Sequence, residues 1–136
     1  MFKKILIPVD LANAEKAGTM IQAANELGGK AADVKLINVV EDIPAYVASE
    51  LPQGILAATR ENAQTGLDDI ANASGQKIET EVRAGNPARA ILDAAEQEGT
   101  DLVIIASHRP GFQDYLLGST AGRVVRHAKC SVLVLR

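Results

Sequence analysis

Stretches of apolar residues alternate with segments of helical spacing along this chain. Five short runs rich in Val, Ile and Leu are bounded by Gly, Pro, Asp or Asn, and this pattern predicts β-strands. Between them, apolar residues recur at the i, i+3 and i+4 spacing that predicts helices. The predicted strands are 3–9, 33–40, 77–82, 101–106 and 131–135, and the predicted helices are 14–27, 53–73, 88–98 and 118–128.

The order of these elements predicts the fold. Strands that alternate with helices through short links form parallel sheets with helices on both faces. The strand 77–82 alternates polar and apolar residues and is expected at an edge of the sheet, whereas the other four are nearly continuous apolar runs. We therefore expect an α/β fold with a doubly wound five-stranded parallel sheet of order 3-2-1-4-5, Rossmann-like or flavodoxin-like. The 136 residues are expected to form a single domain, 1–136.

Local signals mark where two of the helices begin. Asn13 is expected to cap the first helix with its side chain, and Asn86 followed by Pro87 is expected to start the third. Residues 41–52 form the longest link, and its two prolines predict an irregular segment. Long links in compact domains are usually functional or mobile.

Charge and composition argue against several classes of function. The formal net charge is −3, from 14 basic and 17 acidic residues without a basic block, which argues against nucleic-acid binding. Aromatic residues make up 3% of the chain, so base-stacking platforms and a flavin sandwich are not expected. The single Cys130 gives no zinc-type spacing and is expected to be a small core residue. The apolar runs are too short for a signal peptide or a membrane span, so we expect a cytoplasmic protein without a membrane partner.

The expected strand order also predicts where a ligand binds. In doubly wound sheets the ligand lies beyond the carboxyl ends of the strands where their order reverses, here between the first and fourth strands. Segments 8–11, 39–42 and 106–119 converge at that point. The last segment is a polar, glycine-containing loop before a helix, and the unpaired N–H groups of a helix start suit a phosphate. The sequence thus predicts a cleft with apolar walls, a carboxylate and backbone donors, as nucleotide sites have.

Two widespread nucleotide signatures are absent from the sequence. There is no GxxxxGK[ST] motif, and no GxGxxG follows the first strand. Neither a P-loop NTPase nor a Rossmann dinucleotide site is therefore supported.

Five short motifs run through the chain in a recognisable order. They are Ile5-Leu6-Ile7-Pro8-Val9-Asp10, Gly85-Asn86-Pro87, Ala106-Ser107-His108-Arg109, Leu116-Leu117-Gly118-Ser119 and Cys130-Ser131-Val132-Leu133-Val134. Together they resemble the universal stress protein family over essentially the whole chain, most closely its short, single-domain, ATP-binding F/G type. The resemblance implies an adenine nucleotide alpha hydrolase-like fold, a role in the stress response, and ATP, ADP or AMP as ligand.

The family's nucleotide motif is altered in this sequence. That motif is Gly, two residues, Gly, nine residues, Gly, then Ser or Thr. Here Ala106 and Arg109 replace the first two glycines, and only eight residues separate Arg109 from Gly118. A methyl group at Ala106 would crowd a ribose, and Arg109 would either block the loop or reach a phosphate as a charged donor. The F/G type resembles this His-Arg-Pro variant, so we expect nucleotide binding to be retained.

The loop chemistry and the resemblance together predict the site residues. The resemblance implies that Asp10 contacts the nucleotide, against the alternative of a helix cap, and that Val39 flanks the adenine and meets its polar edge with backbone groups. Gly118 permits close approach of a phosphate, and the hydroxyls after it would bind phosphate rather than merely cap a helix. Asp10 is also a weak candidate for Mg²⁺ carried on the phosphates. The full predicted set is Pro8, Val9, Asp10, Val39, Ala106, Ser107, His108, Arg109, Gly118, Ser119 and Thr120.

The expected function is that of a cytoplasmic, nucleotide-binding stress protein acting as a dimer. We expect at most slow ATP hydrolysis, because no general base or nucleophile is recognisable. Two alternatives stay open: a weak ATPase or autophosphorylating enzyme with Ser119 or Thr120 as acceptor, and a nucleotide-free interaction module. The final strand, 131–135, is an apolar edge strand, and an open edge of this kind predicts a homodimer through that strand.

Overall fold

The computed structural model of the chain describes residues 1–107 and 117–136. In this part of the chain, five parallel strands form a sheet of order β3-β2-β1-β4-β5, which confirms the predicted topology. The strands are β1 (Lys4–Pro8), β2 (Asp33–Val40), β3 (Glu79–Ala84), β4 (Leu102–Ala106) and β5 (Ser131–Leu135). The α-helices are α1 (Ala17–Gly28), α2 (Ala45–Ala48), α3 (Ile55–Ala73), α4 (Pro87–Glu98) and α5 (Ser119–His127), and a 3-10 helix (Leu11–Lys16) precedes α1.

Helices cover both faces of the sheet and enclose two apolar cores. Helices α1 and α3 pack on one face, and α4 and α5 pack on the other. Successive residues of a strand point to opposite faces, so both Leu6 and Ile7 of β1 are buried, one in each core. Burial of each such side chain contributes about 1.5–3 kcal/mol. Cys130 is half-buried beside the α4–α5 core, and burial raises the pKa of its thiol.

Strand β3 lies at an edge of the sheet, as its alternating pattern predicts, and charged side chains line its α4 face. The Lys35 ammonium lies 2.6 Å from a carboxylate oxygen of Glu81 and 2.6 Å from one of Glu98. Arg83 contacts the other oxygen of Glu81. Burial disfavours both charged forms, but the hydrogen bonds and ion pairs outweigh it, so the pKa of Lys35 is raised and that of Glu81 is lowered. This network joins α4 to the edge of the sheet where apolar packing ends.

At the amino end of the sheet, one carboxylate joins two strands. Asp101 accepts hydrogen bonds from the backbone N–H groups of Lys3 (2.9 Å) and Lys4 (3.0 Å). Its own N–H donates to the Lys4 carbonyl at 2.9 Å. The backbone hydrogen bonds, that from Lys3 foremost, lower the pKa of Asp101 although burial works in the opposite direction. The ionised side chain therefore holds the start of β1 against β4.

The structure corrects two local predictions. Asn13 does not cap a helix: Asp10 caps the 3-10 helix by accepting the Ala12 N–H at 3.0 Å, and α1 begins only at Ala17. Segment 41–52 contains the short helix α2, which begins directly after Pro44, because a proline at a helix start loses no intrahelical hydrogen bond. The predicted start of α4 is confirmed, since the Asn86 side chain accepts the Arg89 N–H at 3.1 Å.

Candidate functional site

A cleft of about 370 Å³ lies at the carboxyl ends of β1, β2 and β4. This is the point where the chain order of the strands reverses, because β1 has β2 on one side and β4 on the other. The cleft is lined by Pro8, Val9, Asp10, Asn13, Lys16, Met20, Ile37, Asn38, Val39, Glu41, Pro87, Ile91, Ile105, Ala106 and Thr120. Its position agrees with the one expected from the sequence.

Six of the predicted site residues line this cleft, and three other described ones, Ser107, Gly118 and Ser119, are not part of its lining. The six are Pro8, Val9, Asp10, Val39, Ala106 and Thr120. Ser107 follows β4 and donates its N–H to the Leu135 carbonyl at 2.8 Å, so its backbone extends the pairing of β4 with β5. Gly118 and Ser119 lie at the start of α5, beside Thr120 but outside the lining. His108 and Arg109 lie outside the described residues.

Apolar side chains from both cores form the walls of the cleft. Ile37 of β2 and Ile105 of β4 are buried strand residues, and Met20 and Ile91 contribute from α1 and α4 on opposite faces of the sheet. Such apolar walls suit a flat heterocycle, because small-molecule sites are mostly apolar with a few directed polar groups.

The end of β1 opens the backbone of β2 toward the cleft. Pairing of β1 with β2 stops at Pro8 and Ile37, followed by a hydrogen bond from the Val9 N–H to the Ile37 carbonyl at 2.8 Å. Strand β2 continues to Val40, where it still pairs with β3. Alternate residues of a strand direct their backbone groups to opposite sides, so Val39, like Ile37, directs its N–H and C=O toward β1. Since β1 has already ended, these groups face the cleft.

The Asp10 carboxylate both lines the cleft and organises the loop after β1. One oxygen accepts the Ala12 N–H at 3.0 Å, and the other accepts the Asn13 side-chain amide at 3.1 Å. Asp10 thus caps a helix, the role that the sequence offers as the alternative to nucleotide contact. Its exposed carboxylate also lies at the rim of the cleft. The capped loop directs the following 3-10 helix along one wall.

Sequence reasoning missed two polar residues of that 3-10 helix. Asp10, Asn13 and Lys16 all line the cleft. Asp10 is the N-cap of this segment and Asn13 interrupts it with non-helical backbone angles, so the kinked path of the chain brings the three side chains to the cleft. The apolar pattern predicts an α-helix from residue 14 and contains no signal for this kink, so it does not show that Asn13 and Lys16 face the cleft. Glu41 and Asn38 were missed because each adjoins a predicted strand-end residue without a motif of its own.

The described lining carries one cation and two carboxylates. Lys16 is half-buried, whereas Asp10 and Glu41 are exposed. Within residues 1–107 and 117–136, no three His, Cys, Asp or Glu side chains lie close enough together to hold a metal ion on their own. An anionic ligand in this cleft would therefore meet Lys16 as the cation of the described lining.

None of the helices in the described part of the chain combines the length and hydrophobicity that crossing a bilayer requires.

Comparison with known proteins identifies the family. The profile of the Universal stress protein family matches residues 1–136. Universal stress protein MJ0531 of Methanocaldococcus jannaschii is 32% identical over 141 residues, covering 100% of this chain and 83% of that protein. Universal stress protein G of Shigella flexneri is 30% identical, with both chains covered completely. The solved structure of the hypothetical protein MJ0577 matches with a TM-score of 0.80 and 30% identity, covering 99% of this chain and 96% of the other. This chain therefore belongs to the universal stress protein family.

Proposed function

We propose that this protein binds an adenine nucleotide, ATP or the related ADP or AMP, in the cleft at the ends of β1, β2 and β4. The observation that carries the proposal is the opened backbone of Val39 beside the apolar walls of Ile37 and Ile105. An adjacent N–H donor and C=O acceptor complement the acceptor N1 and the 6-amino donor of adenine. Guanine presents the opposite order of donor and acceptor on that edge. The geometry thus favours adenine.

Solved proteins of the same fold support this class of ligand. One universal stress protein was solved in complex with cAMP, and it matches with a TM-score of 0.59 and 24% identity over 99% of this chain. Another, from Archaeoglobus fulgidus, was solved in complex with dAMP and matches with a TM-score of 0.64 and 17% identity. At these identities the likeness is one of fold. The ligands therefore support the ligand class, and the assignment of residues depends on this chain's own cleft.

The proposal includes a divalent ion carried on the phosphates. Mg²⁺ commonly binds through one or two carboxylates together with phosphate oxygens. Asp10 and Glu41 lie at the rim, but both oxygens of Asp10 already accept a hydrogen bond. We therefore propose Asp10 only as a weak ligand of the ion, one that depends on the bound nucleotide.

The proposal also includes a homodimer through β5 in the cytoplasm. Strand β5 lies at an edge of the sheet, and its backbone hydrogen bonds to β4 use alternate residues. The Leu135 carbonyl faces β4, so Val134 directs its N–H and C=O to the open edge. Antiparallel pairing of two such edges about a two-fold axis would satisfy these groups. The short apolar runs of the sequence support the proposed cytoplasmic location.

Titration calorimetry of the purified protein tests the nucleotide site. ATP, ADP and AMP are compared with GTP, with and without Mg²⁺. The test variant is Ala106→Leu, which places a larger side chain in the cleft at the end of β4. The matched control is Ala84→Leu, which enlarges the last residue of β3 at an exposed position outside the lining. We expect Ala106→Leu to weaken ATP binding at least tenfold, about 1.4 kcal/mol, and Ala84→Leu to leave it unchanged.

Other outcomes would redirect the assignment. Equal affinity for ATP and GTP would contradict recognition of adenine by the Val39 backbone. Binding that is equally strong in the Ala106→Leu variant would place the ligand outside this cleft. Failure of the native protein to bind any of these nucleotides would favour the nucleotide-free interaction module.

A further inference from the structure

The side chain of Asn38 holds the end of β1 in place. Asn38 belongs to β2 and lies between Ile37 and Val39, both of which direct their backbone toward β1. Its amide nitrogen Nδ2 donates to the Val9 carbonyl at 2.9 Å. In a parallel ladder that continued by one more bond, that carbonyl would instead accept the N–H of Val39. Between these two described residues, no such backbone hydrogen bond is present.

We propose that Asn38 is a positioning residue that keeps the Val39 backbone open for the base of the ligand. By occupying the Val9 carbonyl, the amide prevents the β1–β2 ladder from closing over the cleft. The Val39 N–H then remains directed at the cleft, beside the apolar wall of Ile105. This inference rests on the proposed function for its purpose, but the hydrogen-bond exchange that it describes is a property of the unliganded protein.

Burial of the Val9 carbonyl makes the loss of this hydrogen bond costly. Val9 is 4% exposed, so its carbonyl has little access to water. A buried carbonyl that loses its partner is costly, and the nearest replacement donor along the strand is the Val39 N–H. Removal of the Asn38 amide is therefore expected to move the Val39 N–H from the cleft to the Val9 carbonyl. A purely structural role for Asn38 would predict a loss of stability without this exchange.

Two measurements on a small set of variants test the inference. Asn38→Leu has a similar shape without a donor, and Asn38→Ala removes the amide without added bulk and replaces the leucine variant if that variant fails to fold. Asn38→His restores a ring N–H donor, and Asn25→Leu is a control at an exposed position of α1 outside the cleft. The first measurement is amide hydrogen exchange at Val39 by NMR without nucleotide. The second is calorimetry with ATP and with 1-deaza-ATP, in which a C–H group replaces N1, the acceptor that the Val39 N–H would meet.

The expected results separate this inference from the proposed function. In the native protein, the Asn38→His variant and the Asn25→Leu control, we expect ATP to bind at least tenfold more tightly than 1-deaza-ATP. In Asn38→Leu or Asn38→Ala, we expect that preference to fall below threefold and exchange of the Val39 amide to slow at least tenfold. Equal weakening of both ligands with unchanged Val39 exchange would overturn the inference. If the native protein binds neither ligand, the proposed function fails, and Val39 exchange alone then supports or overturns the role of Asn38.

Discussion

Gly28, the last residue of α1, provides a sharp test of how tightly the amino end of the fold is packed. A Cβ atom at this position would lie 2.6 Å from Ala32 Cβ, 2.8 Å from Ile5 Cδ1 and 3.2 Å from the Phe2 carbonyl oxygen. The end of the Ile5 side chain can rotate, but the short side chain of Ala32 and the backbone of Phe2 can yield only if the chain itself shifts. We therefore expect Gly28→Ala to destabilise the protein although alanine is the better helix former.

Two opposing effects set the expected change in the free energy of unfolding for Gly28→Ala. Overpacking of a well-packed region costs about 1–3 kcal/mol. Replacement of glycine by alanine at a helical position that accepts it gains about 0.4–1 kcal/mol, mainly by restricting the unfolded chain. The expected net loss for Gly28→Ala is therefore about 1–2 kcal/mol. Gly18 lies exposed in the same helix, and a Cβ atom there would have no neighbour within 4 Å. Gly18→Ala should therefore gain about 0.4–1 kcal/mol.

Urea denaturation of the native protein and both variants measures this difference. We expect the midpoint to fall for Gly28→Ala and to rise for Gly18→Ala, with the slope m unchanged because the exposed area is the same. In thermal scans the two variants should differ by several degrees in Tm, since roughly 3–5 °C corresponds to 1 kcal/mol for a chain of this size. If Gly28→Ala is as stable as the native protein, the close packing of Gly28 against Ala32 and Phe2 is wrong. ATP affinity should stay unchanged in both variants, because neither glycine lines the cleft.

Three further predictions concern charge, the ligand and assembly. The lowered pKa of Asp101 means that its carboxylate stabilises the fold above about pH 4 and that this contribution is lost as pH falls further. Asp101→Asn should therefore lower Tm at pH 7 and flatten the decline of Tm in acid. An unchanged dependence of Tm on pH in acid would contradict the role of the Lys3 and Lys4 hydrogen bonds. Lys16→Met should weaken ATP more than adenosine, and added salt should narrow that gap; equal weakening of both would show that Lys16 does not contact the phosphates. Val134→Pro should remove a backbone N–H that faces the open edge rather than β4, and light scattering should then show a shift from dimer toward monomer. A native protein that is monomeric at tens of micromolar would refute the proposed dimer.

Much of the scaffold could be predicted because local patterns and global packing agree. The apolar runs of β1 and β4 require burial on both faces, which only the middle of a sheet covered by helices provides. The alternating pattern of β3 excludes it from the middle, and the short links allow only a few parallel topologies. Asn86 and Pro87 start α4 as expected, because capping depends on the few residues around the helix start.

The helix boundaries near the cleft could not be predicted with the same success. The sequence offered both Asp10 and Asn13 as caps, and the choice depends on the direction in which the chain leaves β1. Asp10 captures the Ala12 N–H, and a 3-10 turn with a non-helical Asn13 follows before α1 begins. A single strong cap cannot be recognised from residue types when two candidates stand within one turn. The resulting 3-10 geometry brings Lys16 to the cleft.

The sequence by itself determined the order of elements, the parallel topology and the end of the sheet at which the cleft lies, because these follow from hydrophobic periodicity and short connections. Only the tertiary structure decided which side chains meet in that cleft. Asn38 reaches the Val9 carbonyl because β2 continues three residues beyond Ile37, the partner of the last β1 residue, and that offset arises from the register of two strands that are not adjacent in sequence. Side-chain direction in a strand reverses with every residue, so a shift of one position would turn Asn38 away from its present face. Contacts of this kind depend on register and chain direction, which a local pattern of residues does not contain.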